Sequence, residues 1–523
     1  MKKSISAALC FLLLLSGCSA GGNSSLADSI LIVDAGGATI SDSVSVQTST
    51  ATSATERTVI SAVSQTSQSE YSESGEAVDS TESEPPEEAP NTTVTSSQTT
   101  KTAESSAQTT AETTNTTTIS ATTTTVTTTT ASTTVQTADD PVVIDSEIGT
   151  NIYQALNYSE VKAVWISYIE LSELLTGQSA EGFRNNIGAA FDNCVSLGLN
   201  TVYIHARSHS DAYYKSELFP WSKYVTGTLN CAPSFDPLQI MVEEAHARGL
   251  SIHAWINPLR ACSSAQLDSY GDYPVGNWAK SESTAGKYVV NVGGTYYLNP
   301  AYEPVIDLIA QGAAEIAANY DVDGVHIDDY FYPTTDASFD SSAFYSSGFS
   351  TISAFRFANC DKLVSSIYSA VKSANSSALF GVSCQGSIEN NYNQMYADVK
   401  KWCGEAGYLD YIAPQIYYGF TNSTQPYEQC LAQWNDLAKA GGIPLIAGLS
   451  VSKIGKEDTW AGVGKYEWIN DKNIISRQIT AAMECTAYGG TALYSYRSIF
   501  SPESGVKAQV DAEISAVKKI YNI

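Results

Sequence analysis

The sequence predicts an α/β fold: a (β/α)8 barrel preceded by a long disordered tether. Eight apolar strand-like runs alternate with eight amphipathic helical ones over about 360 residues, which is what a closed barrel with some long loops requires. The first strand leads into Ser167-Tyr-Ile-Glu170, not into the glycine-rich phosphate loop that an open doubly wound sheet places there. Upstream of residue 140 the chain is dominated by Ser, Thr, Ala and acidic residues, and residues 122–130 are nearly pure threonine. That composition cannot bury enough apolar surface to offset chain entropy.

The N-terminus reads as an export signal. Lys2 and Lys3 precede an apolar run, residues 7–15, that is too short to span a bilayer. The run ends in Leu15-Ser16-Gly17-Cys18, a bacterial lipobox in which Cys18 is lipidated and becomes the first residue. An ordinary cleaved signal is the alternative, giving a secreted protein. The expected division is residues 1–18 signal, 19–150 Ser/Thr-rich linker and 151–523 barrel. The linker gives the barrel reach from the outer face of the cell membrane, where the Cys18 lipid is the anchor. A short apolar patch at residues 30–33 has no evident partner.

The strands fall at residues 162–169, 200–206, 251–256, 324–327, 379–383, 411–417, 444–449 and 491–496. The helices fall at 181–197, 237–248, 302–319, 350–374, 394–403, 426–440, 471–488 and 502–520. Several boundaries have clear chemistry. Asp236-Pro237 sets an acidic cap before a proline in the first turn, and Arg248-Gly249 ends that helix. Long connections at 208–235 and 259–298 then lie on the catalytic face.

A net charge of −27, from 28 basic and 55 acidic residues, argues against nucleic acid as a partner. It suits a solvated extracellular protein. The eight cysteines beyond residue 18 show no CxxC or metal spacing, and free thiols and disulfides both stay open.

Barrel chemistry sits at the C-terminal strand ends, and alternate strand residues share a face. The tips carry Tyr203, His205 and Arg207, then His253, Trp255 and Asn257, then His326 and Asp328, then Gln415 and Tyr417, then Tyr494 and Tyr496. A purely structural barrel would be aliphatic at these positions. Carboxylates framed by aromatic rings suit sugar cleavage, because the acids do the chemistry and the rings stack on pyranose faces.

These motifs resemble one family. Asn200-Thr-Val-Tyr-Ile-His-Ala-Arg207, Tyr214-Lys-Ser-Glu-Leu-Phe-Pro-Trp221, His253-Ala-Trp-Ile-Asn-Pro258, Tyr297-Leu-Asn-Pro300, Asp323-Gly-Val-His-Ile-Asp-Asp-Tyr-Phe-Tyr-Pro333 and Asp410-Tyr-Ile-Ala-Pro-Gln-Ile-Tyr417 are similar, in order, to the bacterial glycosyl-hydrolase-like 10 lipoproteins. The resemblance implies a TIM-barrel glycosidase. One member, a divisome-associated lipoprotein, cleaves peptidoglycan glycan strands that have lost their stem peptides. Two positions depart from the family pattern: His205 stands where glutamine is expected, and Cys384-Gln-Gly-Ser-Ile-Glu389 replaces a Pro-Phe-Gly-like continuation.

Asp328 shares a face with His326 and is the leading catalytic carboxylate. Asp329 should face the other way by strand alternation, yet it remains a candidate for the second carboxylate, as do Glu389 and Glu170. An acetamide on the substrate could instead supply the nucleophile. His205, Arg207, Trp255, Asn257, His326, Tyr330, Gln415 and Tyr417 are the substrate-binding candidates, with Arg207 placed to pair with Asp328. The expected substrate is a polysaccharide, with peptidoglycan strands favoured, and no cofactor is called for. Two alternatives stay open. One is a glycan-binding barrel without turnover. The other is a metal-dependent hydrolase drawing on His205, His209, His253 and His326.

Overall fold

The computed structural model describes residues 148–523, together with the strand residues 32–33 and 39–40. The apolar patch at residues 30–33 contributes Ile32–Val33 to a short antiparallel pairing with Thr39–Ile40. The signal, Cys18 and nearly all of the tether lie outside the described residues.

Eight parallel strands close into a barrel in chain order. They are β1 (Val161–Ile166), β2 (Thr201–Arg207), β3 (Ser251–Ile256), β4 (Gly324–Ile327), β5 (Leu379–Val382), β6 (Tyr411–Ile412), β7 (Leu445–Ser450) and β8 (Tyr488–Tyr494). The helices around them are α1 (Ala180–Ser196), α2 (Pro237–His246), α3 (Glu303–Asn319), α4 (Ile352–Ala374), α5 (Ile388–Met395), α6 (Val399–Gly404), α7 (Tyr427–Gly441), α8 (Ile474–Met483) and α9 (Lys507–Tyr521). This is the predicted (β/α)8 barrel.

Where the elements depart from expectation, local chemistry accounts for it. β1 stops at Ile166 because Ser167 caps a helix, Tyr168–Leu175, in a capping box with Glu170. β6 is two residues long, not seven. Pro414 has no N–H to give the ladder, so pairing resumes only as single bridges from Gln415 to Gln385 and Gly448. The single helix expected at 394–403 is two, α5 and α6. Tyr396 takes the left-handed conformation at φ 54°, and the Asp398 side chain caps the second helix. The long loop after β3 folds a three-stranded antiparallel sheet of its own, from Arg260–Ser263, Val289–Val292 and Thr295–Leu298.

Inside the barrel the packing is aromatic rather than aliphatic: Trp165, Tyr203, Trp255 and Tyr411 pack with Ala163, Ala413, Ile446 and Ala492. Room for this is made by glycine. A Cβ at Gly381 would come within 1.9 Å of the Tyr411 ring. The buried polar atoms of Trp165 and Tyr411 need partners, and two barrel histidines supply them. Trp165 donates to His326 Nε2 at 3.1 Å, so the His326 proton lies on Nδ1, 2.9 Å from the Tyr411 hydroxyl. Tyr411 can then donate to His253 Nδ1 at 2.9 Å, and His253 Nε2 to Asn157 Oδ1 at 3.3 Å. Burial pushes the pKa of both histidines down, which holds them neutral.

At the N-terminal end of the barrel, fully buried Asp323 clamps the entry segment to the strands. Its carboxylate accepts from the backbone N–H groups of Leu156 and Ile252, and contacts the Tyr153 hydroxyl and His246 Nε2. All eight cysteines within the barrel region are free thiols.

Candidate active site

Asp328 follows the last residue of β4, where the chain leaves the ladder, and it is 3% exposed. Its Oδ2 accepts from Trp255 Nε1 at 3.0 Å and from Asn257 Nδ2 at 3.3 Å. Both donors come from the end of β3, two residues apart, as strand alternation requires. Asn257 is fixed in turn, because its Oδ1 accepts from the Arg260 backbone N–H at 2.8 Å. Asp328 Oδ1 is buried with no hydrogen-bond partner among the described residues.

Asp329 is also buried, and its Oδ1 accepts from Gln415 Nε2 at 3.3 Å. Gln415 also donates to Ser383 O at the end of β5. The expectation that alternation turns Asp329 away from Asp328 is therefore corrected. The strand ends at Ile327, alternation lapses there, and the two carboxylates lean to opposite sides of the same mouth. Asp328 leans toward β3 and Asp329 toward β5 and β6.

Burial pushes the Asp328 pKa up to about 7, and the Asp329 charge adds to the rise. Arg260 opposes it and the Trp255 and Asn257 donors moderate it. With its pKa pushed up to about 7, the Asp328 carboxyl keeps its proton through the mildly acidic range. The two donors to Asp328 occupy Oδ2, which makes Oδ1 the oxygen free to carry that proton.

Arg260 was not foreseen as a site residue. It lies just beyond the Asn257-Pro258 tip, and its guanidinium donates to Ser208 O and to the Tyr330 hydroxyl. It sits 4.5 Å from the Tyr330 ring centroid and 5.5 Å from that of Tyr168. The sequence signal was weak: an arginine three residues past a strand-tip asparagine.

The remaining candidates divide. His205 stacks on Trp255 with ring centroids 3.5 Å apart. Its Nδ1 accepts the Tyr168 backbone N–H, which puts the imidazole proton on Nε2, a buried atom with no partner among the described residues. Tyr417 stacks against Tyr494 at 5.7 Å and feels both carboxylates. Trp255, Asn257, Tyr330, Gln415, His205 and Tyr417 thus gather around the Asp328–Asp329 pair.

Arg207, His326 and Glu389 do not. β2 carries a bulge between His205 and Arg207, so Arg207 pairs in register with Ile256 instead of following His205 inward. Its guanidinium packs 4.3 Å from the Phe219 ring centroid, against α3 at Gly312, and does not pair with Asp328. His326 is held inside the barrel by Trp165 and Tyr411 and stacks on Tyr203 at 4.3 Å. Glu389 is exposed on the first turn of α5 and lines a separate groove with Tyr392, Gln425 and Gln429.

Glu170, the other sequence candidate, is buried but fully engaged. Its oxygens accept from Ser167 N at 2.5 Å, and from Ser495 Oγ and Arg497 N at 2.6 Å each. It ties the β1 loop to the end of β8. The four histidines are likewise engaged elsewhere: His253 and His326 share the Tyr411 hydroxyl, His205 Nδ1 accepts from Tyr168 N, and His209 bonds Ser208 at 3.0 Å. Among the described residues no group of three or more His, Cys, Asp or Glu side chains is placed to hold a metal ion.

Residues 160–462 match the model of the glycosyl hydrolase-like 10 family. The chain belongs to this family. It is 29% identical over 382 residues to glycosyl hydrolase YngK of Bacillus subtilis, covering 68% of this chain and 72% of that protein. Glycosyl hydrolase DigH of Escherichia coli K12 is 32% identical over 289 residues, covering 51% of this chain and 65% of the relative, just under two thirds of its length. A solved structure, the PgaB (BpsB) glycoside hydrolase domain of Bordetella bronchiseptica, aligns with a TM-score of 0.44 at 12% identity, covering 68% of this chain and 99% of that one. Membership of the family supports a glycosidase-type function and a polysaccharide as the substrate class.

Proposed function

We propose that the barrel is a glycoside hydrolase acting on an N-acetylated cell-wall glycan, with peptidoglycan strands stripped of stem peptides as the leading substrate. We further propose that Cys18 anchors it by lipid at the extracellular face of the cell membrane. The observation that carries the catalytic reading is the placement of both Asp328 donors on Oδ2. This leaves a buried Oδ1 with no hydrogen-bond partner among the described residues, on a carboxyl whose pKa is pushed up to about 7.

In this reading Oδ1–H protonates the glycosidic oxygen as the bond to the anomeric carbon breaks. The acetamide carbonyl of the substrate closes on that carbon, and Asp329 holds the acetamide N–H and offsets its developing positive charge. Asp328, now anionic, takes a proton from the water that opens the ring intermediate. Trp255, Tyr417 and Tyr330 supply faces for the sugar, and no cofactor enters.

The test is the release of new reducing ends from denuded glycan strands. Asp328→Asn should lose cleavage by a factor of 100 or more, as expected for removal of a general acid, on the order of 10²–10⁴. Binding of strands by the wild type with no product would favour a glycan-binding barrel without turnover instead.

A further inference from the structure

The loop after β7 presents its apolar residues to solvent. Trp460 is 64% exposed, Val463 88% and Tyr466 48%, all within seven residues of chain. An exposed set of this kind, closely spaced in one loop, marks a binding surface when its scaffold is rigid.

Here the scaffold is rigid. The buried Glu467 carboxylate accepts from the backbone N–H groups of Phe420 and Thr421, at 2.7 and 2.8 Å, and from the Thr421 hydroxyl at 2.7 Å. Val463 N donates to Ser423 Oγ at 3.0 Å. These contacts fasten the β7 loop to the segment that follows Gln415 and Tyr417. Gly419, two residues past Tyr417, packs so closely on Glu467 that a Cβ there would lie 2.2 Å from its Oε2. The β7 loop thus lies on the same barrel face as the candidate cleft and is fastened to the segment that leaves Tyr417.

Its charges point to the occupant. Lys453 pairs with Asp458 at 2.9 Å, Lys465 with Glu457 at 2.9 Å and Lys456 with Glu503 at 3.4 Å. All three lysines of the segment are paired, whereas an anionic lipid surface calls for free basic residues. The N-acetylglucosamine rings of a glycan strand carry no charge and need only aromatic faces.

We propose that Trp460 and Tyr466 form a platform that holds the polysaccharide chain where it runs out of the cleft, making the enzyme selective for polymer over short oligosaccharide. The proposal rests on the glycan reading above. Its test compares wild type, Trp460→Ala and Tyr466→Ala on denuded glycan strands and on a tetrasaccharide of the same repeat. The same proteins are also pelleted with insoluble strands, and are mixed with phosphatidylglycerol-containing vesicles.

Each substitution should raise KM for the polymer roughly tenfold, the effect of one aromatic contact, with kcat and tetrasaccharide cleavage unchanged. Equal loss on both substrates, or no change on either, overturns the platform. So does vesicle binding that the substitutions abolish. If the wild type cleaves nothing, the function reading fails by itself, and pelleting still decides the platform: it requires wild-type retention on strands and its loss in both variants.

Discussion

The indole Nε1 of Trp255 lies 3.0 Å from Oδ2 of Asp328, and the same indole ring is stacked on His205 at 3.5 Å. Trp255 therefore fixes the orientation of the carboxyl and stabilises its anion. Trp255→Phe keeps the ring and removes the donor. The Asp328 pKa should then rise above its present value of about 7. The alkaline limb of the kcat/KM profile should move to higher pH, and an unmoved limb would show that Asp328 is not the titrating acid.

Asp328 also makes stability depend on pH. Its folded pKa is raised to about 7 from the ordinary aspartate value of 3.8, so between those values the native state binds the extra proton. The contribution is fully present below the unfolded pKa and is lost as pH rises through about 7. Asp328→Asn removes the titration. The variant should melt a few degrees above wild type at pH 8, with the gap closing toward pH 4, as read by calorimetry.

The barrel was legible because its strands and helices alternate with strong periodicity and clear caps such as Asp236-Pro237. The tips of β3 and β4 were legible for the same reason: Trp255, Asn257 and Asp328 follow from alternation alone. What the sequence hid was geometry without a composition signal. A bulge at Ala206 moved Arg207 out of the mouth, and the early end of β4 kept Asp329 in it. Arg260 reaches the site from the start of the small sheet in the long loop after β3, where the barrel's period does not place it. His326 obeyed alternation and faces inward, but the Trp165, Tyr411 and Tyr203 rings in the barrel interior claim it before a substrate can.

Glu170 separates a structural carboxylate from a catalytic one. It accepts from Ser167, Ser495 and Arg497, so burial and not idleness is what raises its pKa. Glu170→Gln sets an NH₂ donor against those donors and should cost about 1–3 kcal/mol. Urea denaturation should show the loss, while the folded fraction cleaves glycan at the wild-type rate. A collapse of kcat with unchanged stability would return Glu170 to the list of catalytic acids.

Tyr411→Phe probes the polar layer inside the barrel. The hydroxyl bridges His253 and His326 at 2.9 Å each, and its removal leaves two buried imidazole nitrogens unpaired. The cost should be about 1–3 kcal/mol per group left unsatisfied. Because His326 is committed to this layer, KM for the glycan should not change. A raised KM with intact stability would restore His326 as a substrate contact.

The loop that carries Asp329 and Tyr330 away from β4 is closed by Arg356 and Asp340, both fully buried. Arg356 reaches both carboxylate oxygens of Asp340 at 2.7–3.1 Å and also donates to the backbone carbonyls of Thr334 and Asp336. Its guanidinium lies 4.9 and 5.0 Å from the Tyr332 and Tyr396 ring centroids. Arg356→Met preserves much of the volume but leaves the Asp340 charge buried and unpaired, at a cost of about 3–5 kcal/mol. Asp340→Asn in the same chain removes that stranded charge. The double variant should therefore recover part of the loss in a denaturant midpoint. Additive losses would mean that the two residues stabilise the loop independently, through their backbone contacts alone.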